Sequence, residues 1–136
     1  MTARAHAAAV FALLDVEAPG SKFFYDGFVP DDVEFPYGVM YVSTPLDRGR
    51  RLSAHMSQRL FTVAILCVGG DPDEARWVSE KASARLRRVR PTVAGRTCTP
   101  LMLASSTQVN PDQSVTPPRW TCTDVWQFSS AGSLTA

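Results

Sequence analysis

Hydrophobic side chains recur along this chain with two different spacings, which separate predicted helices from predicted strands. Two segments have the helical spacing of three to four residues. The first lies within 1–18 and ends before Pro19 and Gly20, and the second runs from about Pro72 to Arg88. The predicted inner stripe of the second helix is Ala75, Val78, Ala82, Leu86 and Val89.

The other periodic segments are predicted strands. The segment 59–69 is apolar on both faces apart from Thr62, which predicts that both faces are covered, by helices or by a neighbouring chain. The segment 119–129 alternates strictly, which is typical of a half-buried strand, and its Trp126 is predicted to lie in the core or in an interface. Further strands are predicted at 22–25, 35–43 and 97–106, with a linker at 107–118.

The order of these elements predicts the fold class. Helix, three strands, helix and two strands indicate an α+β fold, with two α-helices packed on a mixed or mainly antiparallel β-sheet. We expect one domain over 1–128, followed by a small-residue tail over 129–136 that has nothing to bury. The segment 43–58 has no clean period and contains Pro45 and Gly49, so we predict a long exposed loop there.

The glycine pair before the second helix raises the question of a phosphate-binding loop. Such loops need spaced glycines followed by lysine and a hydroxyl residue, or three glycines in fixed spacing. Carboxylates follow Gly69 and Gly70 instead, and they would repel an anion. The sequence instead predicts an ordinary capped helix, with Asp71 as N-cap, Pro72 in the first turn and Glu74 three residues after the cap.

Charge and cysteine content narrow the function classes further. A formal net charge of +1 is too small to indicate nucleic-acid binding by overall field. Cys67, Cys98 and Cys122 are widely separated, and neither His6 nor His55 lies near them, so we predict buried reduced thiols with no metal or cofactor site. No apolar run is long enough to predict a membrane span.

Two groups of side chains could support catalysis. His55 lies between Ser53 and Ser57 in the predicted loop, and Asp31 adjoins Asp32 in a predicted turn. Neither group has the nucleophile, base and orienting residue that nucleophilic catalysis needs, so we predict that the protein is not an enzyme. A small cytosolic enzyme that uses one of these groups stays open as an alternative.

Several charged residues are candidates for contacts with other molecules or within the chain. Asp124 lies on the aromatic face of its strand, so we expect an ion pair with an arginine. A second set surrounds the predicted loop and forms a candidate subunit or tube interface: Arg48, Arg50, Arg51, His55 and Arg59. A third set ends the second helix and is either a helix terminus with cations or a candidate basic patch: Arg85, Arg87, Arg88 and Arg90.

The order and phrasing of several segments resemble those of the tail terminator proteins of long-tailed bacteriophages, also called tail-completion or head–tail joining proteins. The resemblance covers nearly the whole chain and rests on element order, not on a catalytic signature. The segments that carry it are YDGFVPDD, FPYGVMY, SQRLFTVAILCVGGDPDEARWVSEKASARL, GRTCTP and WTCTDVWQF.

The resemblance implies a structural role in the virion. In that family the subunits form a hexameric ring that caps the tail tube, ends tail polymerisation and joins the tail to the head-side neck. The implied partners are copies of the chain itself, the tail tube protein, a neck or connector protein, and genomic DNA that passes through the ring without sequence recognition. The implied location is the head-proximal end of the tail, after synthesis in the host cytoplasm. Another neck or tail-tube component with a related fold is the alternative.

Overall fold

The computed structural model describes residues 3–31, 33–43, 46–50 and 56–133. Two α-helices, a short 3-10 helix at Pro19–Ser21 and eight β-strands make up the fold. The helices are α1 (Ala3–Leu14) and α2 (Pro72–Leu86). The strands are β1 (Phe24–Asp26), β2 (Tyr37–Val42), β3 (Leu46–Arg50), β4 (Met56–Gly69), β5 (Arg96–Cys98), β6 (Met102–Ser106), β7 (Asn110–Asp112) and β8 (Arg119–Ser133).

All eight strands form one mixed, mainly antiparallel sheet, which confirms the predicted α+β class. Its centre is the pair of long strands β4 and β8, which run antiparallel from Met56 opposite Ser133 to Gly69 opposite Trp120. The parallel component is the pairing of β1 with β2 at one edge. Two long central strands give the sheet a rigid axis on which the shorter elements are placed.

The predicted long loop at 43–58 is wrong for residues 46–50 and 56–58, which form strands. β2 and β3 both run antiparallel to β4, from Tyr37 opposite Val68 to Arg50 opposite Ser57, with a register shift after Asp47. β2 and β3 thus line one edge of β4, and we call these three strands the ribbon. Of the predicted loop, residues 44–45 and 51–55 lie outside the described residues.

The far side of β8 is lined by three short strands, where the sequence predicted one strand and a linker. β5 pairs with residues 130–132, β6 with 124–127 and β7 with 119–121. β8 itself continues to Ser133, so residues 129–133 of the predicted tail are a paired strand. Pairing with β4 orders these small residues, which have no hydrophobic pattern of their own.

Both helices pack on one face of the sheet and cover the main core. The predicted stripe of α2 is confirmed by the burial of Ala75, Val78, Ala82 and Leu86, whereas Val89 lies beyond the end of the helix and is half-buried. The first helix, α1, buries His6, Val10 and Leu14. Trp126 is 0 % exposed, as predicted for a core position. The helix-covered face of the two long strands carries Phe61, Val63, Ile65, Cys67, Cys122, Asp124, Trp126, Phe128 and Ser130.

The start of α2 has the predicted cap. The Glu74 amide donates to Asp71 Oδ1 at 2.8 Å, and the Glu74 carboxylate accepts from the Gly70 amide at 2.7 Å. This reciprocal bond satisfies two amides at the helix N-terminus. Gly69 lies so close to the first turn that a Cβ there would stand 2.5 Å from Glu74 Cβ. The glycine pair therefore serves strand-to-helix packing, as the sequence indicated.

Candidate functional site

The helices leave uncovered the opposite face of β4 and β8. We call it the open face, and it consists of Leu60, Thr62, Ala64, Thr123, Val125, Gln127, Ser129 and Ala131. Each of these side chains is half-buried, because neighbours within the sheet shield it from the sides but no helix lies above it. Within the described chain, the prediction that both faces of 59–69 are covered is met on the helix-covered face, and on the other face only around Leu66 and Val68.

The open face carries no charged side chain among its residues on β4 and β8. It extends about 27 Å from residue 123 to residue 131, at the usual rise per strand residue. Tyr41 on β2 adds a ring that is 48 % exposed, and Met102 on β6 adds a side chain that is 52 % exposed. Depletion of charge with exposed aromatic and methionine side chains is typical of the centre of protein interfaces.

One end of the sheet face has a small cover of its own. Val29 and Val33, in the segment between β1 and β2, pack against a second cluster formed by Tyr37, Val39 and Val68. Beyond this cluster an ion pair closes the end of the sheet, because Arg119 Nε donates to Asp112 Oδ2 at 2.9 Å. The open face is therefore bounded on this side by a packed segment and an ion pair.

Three of the candidate interface residues lie on described strands of the ribbon. Arg48 and Arg50 lie on β3, while Arg51 and His55 lie outside the described residues. Arg59 is half-buried on the helix-covered side of β4, close to Arg96. Desolvation lowers the pKa of the Arg96 guanidinium, and the charge of Arg59 lowers this pKa further. The structure thus brings Arg59 to an internal polar cluster, not to an exposed loop.

The candidate basic patch does not form one continuous group. Arg85 turns back towards α1, where it donates to the Leu14 carbonyl at 2.9 Å and forms an ion pair with Glu17 at 2.7 Å. Arg87 lies over the Trp126 ring at 5.4 Å, and Arg90 donates to the Cys98 carbonyl at 3.4 Å. Arg88 has a positive φ of 60° at the turn after the helix. Arg85, Arg87 and Arg90 therefore have separate structural contacts.

Asp124 has serine partners in place of the predicted arginine. Its carboxylate accepts hydrogen bonds from Ser79 of α2 and, at 2.5 Å, from Ser106 of β6. Both serines line an open cleft of about 380 Å³ between α2 and the segment 106–109. The sequence could not indicate these hydroxyls, because α2 and β6 meet β8 only through the tertiary fold.

The sequence pattern did not predict a buried histidine–serine pair. His6 Nε2 and Ser130 Oγ are 2.7 Å apart, both residues are 0 % exposed, and the His6 ring stacks on Phe61 with centroids 4.2 Å apart. Arg96 donates to Ser130 Oγ at 2.9 Å. The only sequence signal was the position of His6 one turn before Val10 on the inner stripe. A serine without solvent access cannot meet a substrate, so this pair ties α1 to β8.

The described ranges give no support to the catalytic alternatives. Asp31 is exposed, whereas Asp32 and His55 lie outside the described residues. Across 3–31, 33–43, 46–50 and 56–133 no three metal-ligating side chains group together. None of the helices in the same ranges is long and apolar enough to cross a membrane.

Comparison with solved structures shows that the fold recurs elsewhere at low sequence identity. A chain of the virion of a native gene transfer agent particle superposes with a TM-score of 0.71 at 13 % identity, covering 93 % of this chain and 94 % of that chain. A second solved protein, whose name states no function, superposes with a TM-score of 0.57 at 13 % identity and covers 96 % of each chain. No protein-family model and no curated protein matches the sequence.

Proposed function

We propose that this chain is a structural subunit of a phage-like virion. The observation that carries the proposal is the shared fold with a chain of a gene transfer agent virion over 93 % of one chain and 94 % of the other. The alignment covers nearly the whole of both chains, so the likeness is one of overall fold and not of a single motif. A non-catalytic role fits this kind of neighbour.

The open face supports a role in assembly. It is uncharged along β4 and β8 and remains uncovered in the isolated subunit. A contact between this face and a different surface of the next copy is heterologous, and heterologous contacts generate a closed ring when the rotation between copies closes. A sheet face on one side and helices on the other give each subunit two unlike surfaces for such contacts.

Within the virion, the proposed position is the head-proximal end of the tail. There a ring, hexameric in the tail terminator family that the sequence resembles, would cap the tail tube, end its polymerisation and meet the head-side neck protein. The proposed contact with a neighbouring subunit or the tube lies on the ribbon of β2, β3 and β4, because β3 carries the candidate interface residues Arg48 and Arg50.

We propose that DNA passes through this ring without sequence recognition. Each phosphate that a protein neutralises adds affinity through the release of counterions, so a channel that lets DNA slide needs few such contacts. The formal net charge of +1 and the separate contacts of Arg85, Arg87 and Arg90 agree with weak, salt-sensitive DNA binding.

The second candidate is another neck or tail-tube component with a related fold. The fold shared with the virion chain favours this candidate too, because a shared fold does not by itself specify a position along the tail. The two candidates differ in what they predict for the particle. A terminator forms one closed ring above the last tube ring, whereas a tube component repeats along the tail.

Reconstruction of the particle that contains this chain tests the proposal. We expect a single closed ring at the head-proximal end of the tail, and overlong headless tails when the gene is blocked. One copy per particle, or an open spiral that continues the repeat of the tube, would contradict the capping ring. Repeated rings along the tail would support the second candidate, and absence from the particle would contradict the virion role altogether.

A further inference from the structure

Cys67 and Cys122 face each other across the two central strands. They are direct partners in the pairing of β4 with β8, and both side chains point into the helix-covered core. Directly opposed residues in antiparallel strands have Cα atoms about 4.5–5.5 Å apart, which lies within the range that a disulfide spans. Both thiols are free in this structure, with Cys67 Sγ donating to the Ile65 carbonyl at 3.8 Å and Cys122 Sγ to the Ala75 carbonyl at 4.0 Å.

The cleft beside α2 gives access to one member of this pair. Cys122 is 5 % exposed and forms part of the cleft wall, whereas Cys67 is 0 % exposed and lies behind it. The cleft has a volume of about 380 Å³, enough for a small organic molecule. The residues that line it are Arg76, Ser79, Glu80, Ser106, Thr107, Gln108, Val109 and Cys122.

The surroundings of the two sulfur atoms favour Cys122 as the attacking thiolate. The Cys67 thiol beside it lowers the pKa of the Cys122 thiol, and the Arg76 guanidinium lowers this pKa further, against the opposing effects of desolvation and of Asp124. The Cys122 thiol and burial raise the pKa of Cys67. The accessible sulfur is thus the more acidic of the two.

We propose that Cys67 and Cys122 form a dithiol that reacts with small disulfides through this cleft and closes to a disulfide between β4 and β8. The Cys122 thiolate attacks a disulfide RS–SR, the S–S bond breaks, and one RS⁻ leaves and takes up a proton. Cys67 then loses its proton and attacks Sγ of Cys122 in the mixed disulfide, which releases the second RSH. Two protein thiols are oxidised and one small disulfide is reduced to two thiols.

The new bond would fix the central strands of the sheet covalently. If the proposed virion function holds, the subunit is made in a reducing cytoplasm and released into an oxidising medium, where such bonds persist. The bond would then form after assembly. This consequence alone rests on the virion role; the reaction itself depends only on the dithiol and the cleft.

The test exposes the folded, reduced protein to 2-hydroxyethyl disulfide and follows its intact mass. We expect the mass to fall by two hydrogens, peptide mapping to show Cys67 linked to Cys122, and the thermal midpoint to rise by about 5–10 °C. Reduction should reverse all three changes. A folded protein that stays unmodified, or that gains a stable adduct without closing, would overturn the proposal.

Single-cysteine variants separate the two steps. Cys67→Ser should stop at one hydroxyethyl adduct on Cys122, Cys122→Ser should stay unmodified over the same time, and Cys98→Ser should behave like the wild type. Equal modification of Cys122→Ser and wild type would contradict Cys122 as the entry point.

An exposed arginine provides a test that does not disturb the core. Arg76→Gln should slow the first step roughly threefold, because it removes the nearby positive charge. Arg87→Gln, at the other end of α2, is the matched control and should leave the rate unchanged. Equal rates in all three proteins would show that Arg76 does not activate Cys122.

Discussion

At the scale of single residues, Asp124 shows how this fold accommodates a buried acid without an arginine. The side chain is 3 % exposed, and its two oxygens accept from hydroxyls on α2 and β6. A buried carboxylate is tolerated only when hydrogen bonds replace its lost hydration. The two serines therefore connect β8 to α2 and to β6. We expect each hydroxyl to contribute to the free energy of unfolding.

Loss of one of these hydroxyls should destabilise the protein measurably. Ser106→Ala removes a hydrogen bond to a charged acceptor, and we expect it to lower the free energy of unfolding by about 1.5–3 kcal/mol. Urea unfolding followed by circular dichroism measures the change. Ser105→Ala is the matched control on the exposed neighbour and should stay within about 0.5 kcal/mol. Equal losses in both variants would mean that Ser106 does not support Asp124.

Asp112 provides a pH-dependent prediction at the same scale. Hydrogen bonds from the Ser114 hydroxyl and from Arg119, with a smaller one from the Ser114 amide, lower the pKa of the Asp112 carboxyl to about 2. Because this pKa lies below the ordinary value of 3.8, the contribution of the ionised group to stability is complete above that value and is lost as the pH falls towards 2. Carboxyl chemical shifts should therefore titrate with a midpoint of about 2.

The variant Ser114→Ala should raise this midpoint more than Arg119→Gln, because the Ser114 hydroxyl is the largest cause of the shift. Ser105→Ala serves here as a control that touches neither partner. An unchanged midpoint in Ser114→Ala would refute the assignment.

At the scale of elements, the sequence predicted the helices and strands that are determined by local features such as caps and hydrophobic spacing. The cap at Asp71 and the stripe of small and apolar residues placed α2 correctly, and strict alternation placed most of β8. The sequence did not predict the strands that are ordered only because they pair with a longer strand. Residues 129–133 are small and polar, yet they form a strand because β4 lies beside them. β3, β5 and β7 are likewise short strands that exist only against a long neighbour.

The candidate site could be anticipated only in part for the same reason. Apolar residues on both faces of 59–69 indicated a surface that needs a cover. The position of the open face depends on which side of the sheet the helices pack against and on the register of β4 with β8. Likewise, the pairing of Cys67 with Cys122 requires a register that two positions 55 apart in sequence do not specify.

The ribbon is the element on which the proposed assembly can be tested by charge. Arg50→Glu combined with Arg51→Glu should lower incorporation into particles by about tenfold, because charges at the rim of an interface mainly set association and specificity. The thermal midpoint of the isolated subunit should stay unchanged. Arg87→Glu combined with Arg88→Glu is the matched pair at the end of α2. Equal loss of incorporation in both pairs would point to overall charge and not to the ribbon.

At the scale of the whole molecule, the two sides of the sheet have different chemistry. The helix-covered side contains the core and the polar contacts that tie the elements together, including His6 with Ser130 and Asp124 with its serines. The open side lacks charge along β4 and β8. A subunit with this asymmetry is complete as a folding unit, while its open face has no partner within the described chain. We therefore expect substitutions on this face to separate assembly from folding.

A charge in the middle of the open face makes that separation measurable. Ala64 is half-buried on β4 opposite Val125, and Ala64→Glu should leave a folded subunit, with a loss of no more than about 1 kcal/mol, because water still reaches the new carboxylate. If copies meet through this face in the proposed ring, the same carboxylate would be buried without a partner, so ring formation and incorporation into particles should fall at least about tenfold. Ala84→Glu makes the same chemical change on an exposed position of α2 and should assemble normally. Native mass spectrometry counts the subunits per ring, and particle purification measures incorporation. Wild-type assembly by Ala64→Glu would show that the open face remains free in the virion, and the contact between copies would then have to lie elsewhere.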